Sequence, residues 1–258
     1  VSTAFAEKIG AKPAAEVIQH FNMLIYGEFG TGKTHFIGTA QDHPLTAPVL
    51  LLDIEAGSTT LRKRTDVEVV RVTSMTKLIE LYDELEKDAQ SGKPTYNTIG
   101  IDSLTELQKL DMNDIMRAVV KRDSDRDPDV PSMREWGKSN NHIRQIVRKF
   151  RDLPYNVIFT ALLARDQDDS SGAVRYGPDL PGKLKGQVPG FLDLVGYLHT
   201  VTENDEIERR LLVQSTQKYA AKDRLGVGGP VIQNPDVSLL FNAIISNGNT
   251  PSVKKGNK

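Results

Sequence analysis

The 258-residue sequence contains no cysteine. That absence excludes disulfides, thiolate metal ligands and cysteine nucleophiles. An excess of either charge is missing as well: 33 Lys and Arg stand against 34 Asp and Glu, for a net charge of -1 and a pI near 6.6. No global basic field therefore draws the chain to nucleic acid, and any such contact needs a local patch. No apolar run approaches the ~18 residues of a membrane-spanning helix, so no membrane partner is expected. Val1 to Gly10 lacks the charged-then-apolar pattern of a signal peptide, and a cytoplasmic setting is the expectation. Internal repeats, low-complexity tracts and an N-K-x-D segment, which would favour guanine, are absent too. What remains is an ordinary globular composition, 38% hydrophobic and 26% charged. It is long enough for one large α/β domain or two small ones.

Against these absences stands one dense signal. Met23-Leu24-Ile25-Tyr26 is an apolar run entering Gly27-Glu28-Phe29-Gly30-Thr31-Gly32-Lys33-Thr34, which fits the phosphate-binding pattern G-x-x-x-x-G-K-[ST]. The glycines admit positive φ and let backbone N–H groups converge on phosphate oxygens. The helix opening near Lys33 turns its positive dipole end to the same anion. The stretch from Gly27 through His35 is thus the candidate nucleotide cradle. In it Lys33 reaches the β- and γ-phosphates and Thr34 ligates Mg²⁺. ATP and Mg²⁺ are the expected cofactors.

Elsewhere the pattern alternates strands and helices. Residues 1–20 read as an N-terminal arm or short helix. Residues 47–55 read as a buried strand with Asp53 and Glu55 at its C-terminal end, the edge where ligands gather in open α/β sheets. A short strand at 67–72 and an amphipathic helix at 77–90 follow. Residues 98–103 form a strand ending in Asp102, which fits the acid that holds the water shell of Mg²⁺, with a helix beyond it. Residues 121–133, charged and carrying two prolines, read as a loop. The next helix, 134–151, carries Arg144, Arg148, Lys149 and Arg151 as either a solvated basic face or a DNA-facing one. Trp136 is a core or interface anchor, or a ring for stacking a base. Residues 155–163 form a further strand, with Thr160 as a γ-phosphate sensor or a tolerated strand residue.

Residues 164–187, with Arg165, Arg175, Tyr176, Lys183 and Lys185, read as a long functional loop holding a hairpin around 170–172. Strands at 195–201 and 207–215 pair antiparallel, a helix spans about 235–245, and 247–258 is a disordered tail. The fold class is therefore α/β, a mainly parallel doubly wound sheet with an antiparallel C-terminal extension, in one domain over 21–246.

These landmarks, in this order, resemble the RecA-like P-loop ATPase core. They look closest to phage-encoded RecA-core proteins of the AAA type, grouped with single-strand-annealing recombinases. Leu51-Leu52-Asp53-Ile54-Glu55-Ala56-Gly57 resembles the strand whose glutamate activates the attacking water, which implies Glu55 as the base. Ile99-Gly100-Ile101-Asp102-Ser103 resembles the second acidic strand. Lys222-Asp223-Arg224-Leu225-Gly226 resembles the K-x-R-x-G segment of ring-shaped RecA-like ATPases. In those proteins the Lys and Arg reach the neighbouring subunit's γ-phosphate. The resemblance thus implies a homo-oligomer, ring or filament, with Lys222 and Arg224 acting in trans. Arg62 falls near where the family packs adenine. The family's DNA-binding loops correspond to 121–135 and 164–187, although neither carries a dense basic run for phosphate contacts. The implied activity is Mg-dependent ATP hydrolysis on single-stranded DNA, in recombination or annealing. A DnaB-like ring motor, a P-loop small-molecule kinase with 164–187 as its lid, and an assembly module held by ATP are the alternatives.

Overall fold

The computed structural model describes residues 4–11, 20–167, 172–203 and 205–246. A five-residue helix, α1 (Ala4–Lys8), precedes β1 (Asn22–Gly27), a strand buried along its whole length. The glycine-rich loop then feeds α2 (Lys33–Gly38), which tightens into a 3₁₀ turn over Thr39–Asp42. β2 (Val49–Asp53), a 3₁₀ turn at Ser58–Leu61 and β3 (Glu68–Arg71) follow. Ser74 accepts a hydrogen bond from the Lys77 N–H and so caps α3 (Met75–Gln90). β4 (Thr98–Asp102) runs straight into α4 (Leu104–Arg122), which Ser103 caps in the same way. Next come α5 (Met133–Arg151), β5 (Asn156–Gln167), β6 (Val174–Pro178) and α6 (Leu184–Phe191). The C-terminal part adds β7 (Leu194–Glu203), β8 (Glu206–Leu212), β9 (Lys222–Asp223), β10 (Val231–Gln233) and α7 (Val237–Ser246).

The strands form one sheet in the order β10-β8-β7-β1-β5-β4-β2-β3, with β6 added to β5 and β9 to β7. From β7 to β3 every neighbouring pair is parallel. The β7–β8–β10 edge and the two added strands pair antiparallel. Parallel neighbours need crossovers, and the crossover helices bury both faces of the sheet. Alternation along each strand then sorts side chains into two cores. Leu24, Tyr26, Leu50 and Leu52 enter one, closed by α3 to α6 through Leu78, Leu107, Phe150 and Val188. Met23, Ile25, Val49 and Leu51 enter the other, closed by α2 and α7 through Ile37 and Phe241. Burying a side chain of this size contributes about 1.5–3 kcal/mol, so the central strands are held from both sides. A rigid sheet edge follows.

The mainly parallel sheet with its antiparallel C-terminal extension is the expected one, but two expectations change. The 164–187 segment is not a long loop: β5 continues to Gln167, pairs back with β6, and α6 begins at Leu184. Gly186, Pro189 and Gly190 disfavour a helix there. Burial of Leu184 and Val188 in the first core outweighs that propensity. Each cation on the basic face of α5 has a partner within the chain. Arg144 donates to Gln187 Oε1 at 2.9 Å, and Arg148 lies 4.4 Å over the Phe191 ring. Lys149 lies 4.7 Å over Tyr82, and Arg151 donates to Asp152 at 2.7 Å. Arg148 and Lys149 nonetheless stay exposed, so the face is solvated and keeps its charge. Trp136 is half-buried on the same helix, as an anchor would be. The hairpin tip at 168–171, the tail at 247–258 and residues 1–3 and 12–19 of the arm lie outside the described residues.

The loop before α5 is fastened by a capping box. Glu135 accepts hydrogen bonds from the Ser132 N–H at 2.7 Å, from the Ser132 hydroxyl, and from Arg126 at 3.1 Å. Those donors, the Ser132 hydroxyl first, hold the Glu135 carboxyl down at about 2. Its stabilising contribution is complete above its ordinary value of 4.5 and is lost as pH falls toward about 2. Glu135→Gln should therefore lower the urea midpoint at pH 7. The difference from the parent chain should close on titration toward pH 2.

Candidate nucleotide-binding site

The loop from Gly27 to Thr34 projects beyond the end of β1, and α2 starts at Lys33. Gly32, at φ 98° and ψ 25°, supplies the left-handed turn that aims the helix N-terminus back over the sheet edge. Thr31 Oγ1 donates to the Glu28 carbonyl at 2.9 Å and closes the loop on itself. Lys33 is 7% exposed, and its amine donates to the Gly27 and Glu28 carbonyls at 3.1 and 2.8 Å. Burial lowers its pKa, while the nearby Glu55 and Asp102 charges pull the other way. This buried ammonium is hydrogen-bonded to neutral carbonyls and makes no ion pair among the described residues. An entering phosphate supplies the anion. Phe29 is fully out in solvent, and Glu28 and His35 are exposed around the loop.

Directly below lies Asp102, buried at the end of β4. Its Oδ2 accepts the Thr34 hydroxyl at 2.6 Å, and its Oδ1 accepts the Thr160 hydroxyl from β5. Thr160 is therefore spent on orienting this carboxylate rather than on sensing a phosphate. One carboxylate acting through water and one hydroxyl are what a protein offers Mg²⁺ at a triphosphate site. A Cβ at Gly57 would come within 3.3 Å of Thr34 Oγ1 and 3.7 Å of Asp102 Oδ2, so that residue keeps the space beside the pair open. No group of three or more His or carboxylate residues suited to a metal occurs among the described residues. A cation at Thr34 and Asp102 thus depends on the nucleotide's own oxygens. The residues present fit such an ion.

Glu55 sits two residues past β2, exposed, with its backbone N–H on the Asp102 carbonyl at 3.1 Å. Asp53, the last residue of β2, explains why that loop is held. Its carboxylate is 2% exposed and accepts from the Gly57 and Ser58 N–H groups at 3.1 and 3.3 Å. Arg71 on β3 neutralises it at 3.2 Å. Asp53 is the positioning residue that bends 54–58 over the site and leaves Glu55 free.

The remaining expected residues are not gathered there. Arg62 is exposed just after the 3₁₀ turn at Ser58–Leu61, where Leu61 packs against Gly38 at the far end of α2. The structure therefore does not bring it to the phosphate loop. Lys222 lies on β9, level with Val195 and, across β7, with Leu24. Its amine donates to the carbonyls of Pro189, Gly190 and Leu192, at the C-terminus of α6. That corrects the expectation of a free, outward-reaching lysine: the cation closes its own chain's helix end. Arg224 is different. Its side chain is exposed and makes no ion pair among the described residues, and its N–H binds the Asp193 carbonyl, level with Asn22. The five steps from Asn22 to Gly27 span about 16 Å of strand, beyond an arginine's reach to its own phosphate loop.

Sequence reasoning missed Arg209. From β8 its Nε donates to the Thr31 carbonyl at 3.2 Å, across 178 residues of sequence. No local pattern separates Arg209 from its neighbour Arg210 on β8.

Some basic residues of the 121–135 and 164–187 segments are paired within their own segments. Arg126 is held by Glu135, and Lys185 pairs with Asp166. No helix among the described residues is long and apolar enough to cross a membrane.

Comparison with known proteins gives one family: the AAA domain, matching residues 19–225. No curated protein matches the chain. Solved structures similar to it include a KaiC-like protein of the hyperthermophilic archaeon Pyrococcus horikoshii OT3. It has 16% identity and a TM-score of 0.44, with 90% of this chain and 95% of that one covered. Another is the flagellar accessory protein FlaH of Methanocaldococcus jannaschii, at 13% identity and a TM-score of 0.40, with 90% of each chain covered.

Proposed function

The chain belongs to the AAA domain family, and from its site we propose a Mg²⁺-dependent ATPase of RecA-like fold that works as an oligomer on single-stranded DNA. One observation carries the reading: Lys33, Thr34, Asp102 and Glu55 meet at one sheet edge, while the free Arg224 lies at the opposite end of β1. Lys33 exchanges the Gly27 and Glu28 carbonyls for the β- and γ-phosphates, joined by the N–H groups of the loop. Thr34 and Asp102 would hold Mg²⁺, which would supply charge neutralisation at the phosphate oxygens. Glu55, the unbound carboxylate beside them, orients a water in line with the γ-phosphate and accepts its proton. The cation that stabilises the departing charge comes from Arg224 of a neighbouring subunit. Recombination or annealing is the setting that fits an ATPase of this resemblance.

The kinase alternative would use as its lid the β5–β6 pair and α6, whose Leu184 and Val188 are packed in the first core. An assembly module held by ATP keeps the same cradle and differs only in lacking turnover.

Isothermal titration with ATP, in Mg²⁺ and in EDTA, tests the cradle. Lys33→Ala should weaken ATP by roughly 10- to 100-fold, the worth of a lost charge-assisted contact. Phosphate release with and without single-stranded DNA then separates the readings. Stimulation supports the proposal, transfer to a small acceptor supports a kinase, and no turnover supports an assembly module.

A further inference from the structure

At the β8 edge the sheet loses its helical cover. Tyr197, Leu212 and Val231 are cross-strand neighbours on β7, β8 and β10 and so share one face. Their alternates Leu198, Leu211 and Ile232 are buried under the second core. On the Tyr197 side the first core includes nothing from β8 or β10 among the described residues. Residues 215–220 lie there instead, and between them and the strands is a cleft of about 630 Å³ lined by Tyr197, His199, Gln217, Lys218 and Tyr219.

The aromatic rings around this cleft are nearly parallel. Tyr197 and Tyr219 stack at 4.5 Å and 11°, Tyr197 and His199 at 4.9 Å and 13°, and Tyr176 and Tyr219 at 5.0 Å and 17°. Tyr26, the residue before the phosphate loop, joins them at 5.5 Å and donates its hydroxyl to the Ala220 carbonyl. The segment is fixed in advance. The Tyr219 N–H binds Thr216 Oγ1 at 3.0 Å, the Thr216 N–H binds the Tyr219 carbonyl at 3.0 Å, and the Ala220 N–H binds the Tyr176 carbonyl at 3.0 Å. Two observations point to a ligand rather than to packing alone. His199 Nδ1 is buried without a hydrogen-bond partner, although buried ring nitrogens are normally paired. Arg175 and Lys218, exposed beside Tyr176 and Tyr219, make no ion pair among the described residues. Parallel rings, an amide, a ring nitrogen and two cations together match a flat heteroaromatic ring carrying phosphate.

We propose that this cleft is a stacking site for a nucleobase, with Lys218 and Arg175 placed for the adjoining phosphates. It deepens the single-strand part of the function proposed above and does not depend on hydrolysis. Two sources offer that ring, a single-stranded nucleic acid and the base of the nucleotide held at the phosphate loop.

The test uses the full chain and two substitutions, Tyr219→Leu, which keeps bulk and breaks the ring stack at its centre, and the milder His199→Asn. Binding of a labelled thymidine 20-mer, an abasic 20-mer, ATP and tripolyphosphate is measured for each. A drop of roughly tenfold for the thymidine strand in both variants, with the abasic strand unchanged, assigns the site to nucleic acid. The same drop for ATP, with tripolyphosphate unchanged, assigns it to the nucleotide's base. Affinities within twofold for both base-bearing ligands overturn the proposal, as does a parent chain that binds neither. Lys33→Ala reports separately on the phosphate loop, since its loss of ATP is shared by tripolyphosphate and leaves the thymidine strand unaffected.

Discussion

Glu55→Gln should bind ATP with unchanged affinity while its turnover falls by about 10²–10⁴-fold, the usual worth of a positioned general base. The amide keeps the size and the hydrogen-bonding reach of the carboxylate but cannot take a proton. Binding should survive because the groups proposed to hold the phosphates, Lys33, Thr34 and the loop N–H groups, make no hydrogen bond to Glu55. Position also singles out Glu55 among the three acids at this edge. Asp53 is sealed by two N–H groups and Arg71, and Asp102 is committed to Thr34 and Thr160. Only Glu55 is exposed and unspent. Phosphate release under single-turnover conditions, paired with titration calorimetry, checks both halves. Full turnover by the variant would remove Glu55 from the mechanism.

Arg224→Ala should lower turnover by about 10³–10⁵-fold, the range for a cation supplied in trans to a phosphoryl transfer. Arg224 lies level with Asn22 and Asp193, at the far end of β1 from Gly27. Its backbone is pinned there, because the Asp223 carboxylate accepts from the N–H groups of Leu225, Gly226 and Val227 at 2.8 to 2.9 Å. The side chain cannot fold back to its own site, so any catalytic service goes to another copy of the chain. Turnover per subunit should then rise with protein concentration in the parent chain, as binding equilibria require. A parent chain whose specific activity is flat on dilution to the monomer would argue for a self-sufficient site.

The phosphate loop was legible because recognition by backbone N–H groups is local, written into eight consecutive residues from Gly27 to Thr34. The placement of Asp102 and Glu55 at one edge was legible for a related reason: in a parallel sheet, the C-terminal ends of strands share one side. What was hidden depends on distant partners. Thr160 could not be separated from an ordinary strand residue until its hydroxyl met Asp102. Lys222 resembles a reaching cation in sequence, yet its amine is taken by carbonyls of α6, a helix that Gly186, Pro189 and Gly190 disguise as loop. Arg144, Arg148 and Lys149 read as a free basic face because Gln187, Phe191 and Tyr82 come from other parts of the chain. The ring stack at Tyr26, Tyr176, Tyr197 and Tyr219 draws on four separate segments. No window of sequence contains it.

The central claim is that each phosphate loop is half a site, completed by Arg224 of the next subunit. Mixing two inactive variants, Glu55→Gln and Arg224→Ala, in equal amounts tests it most directly. The first retains the arginine and the second retains the base. Random assembly should place them correctly at about a quarter of interfaces and restore that share of parental ATP turnover. A mixture as inactive as its two components would contradict the account.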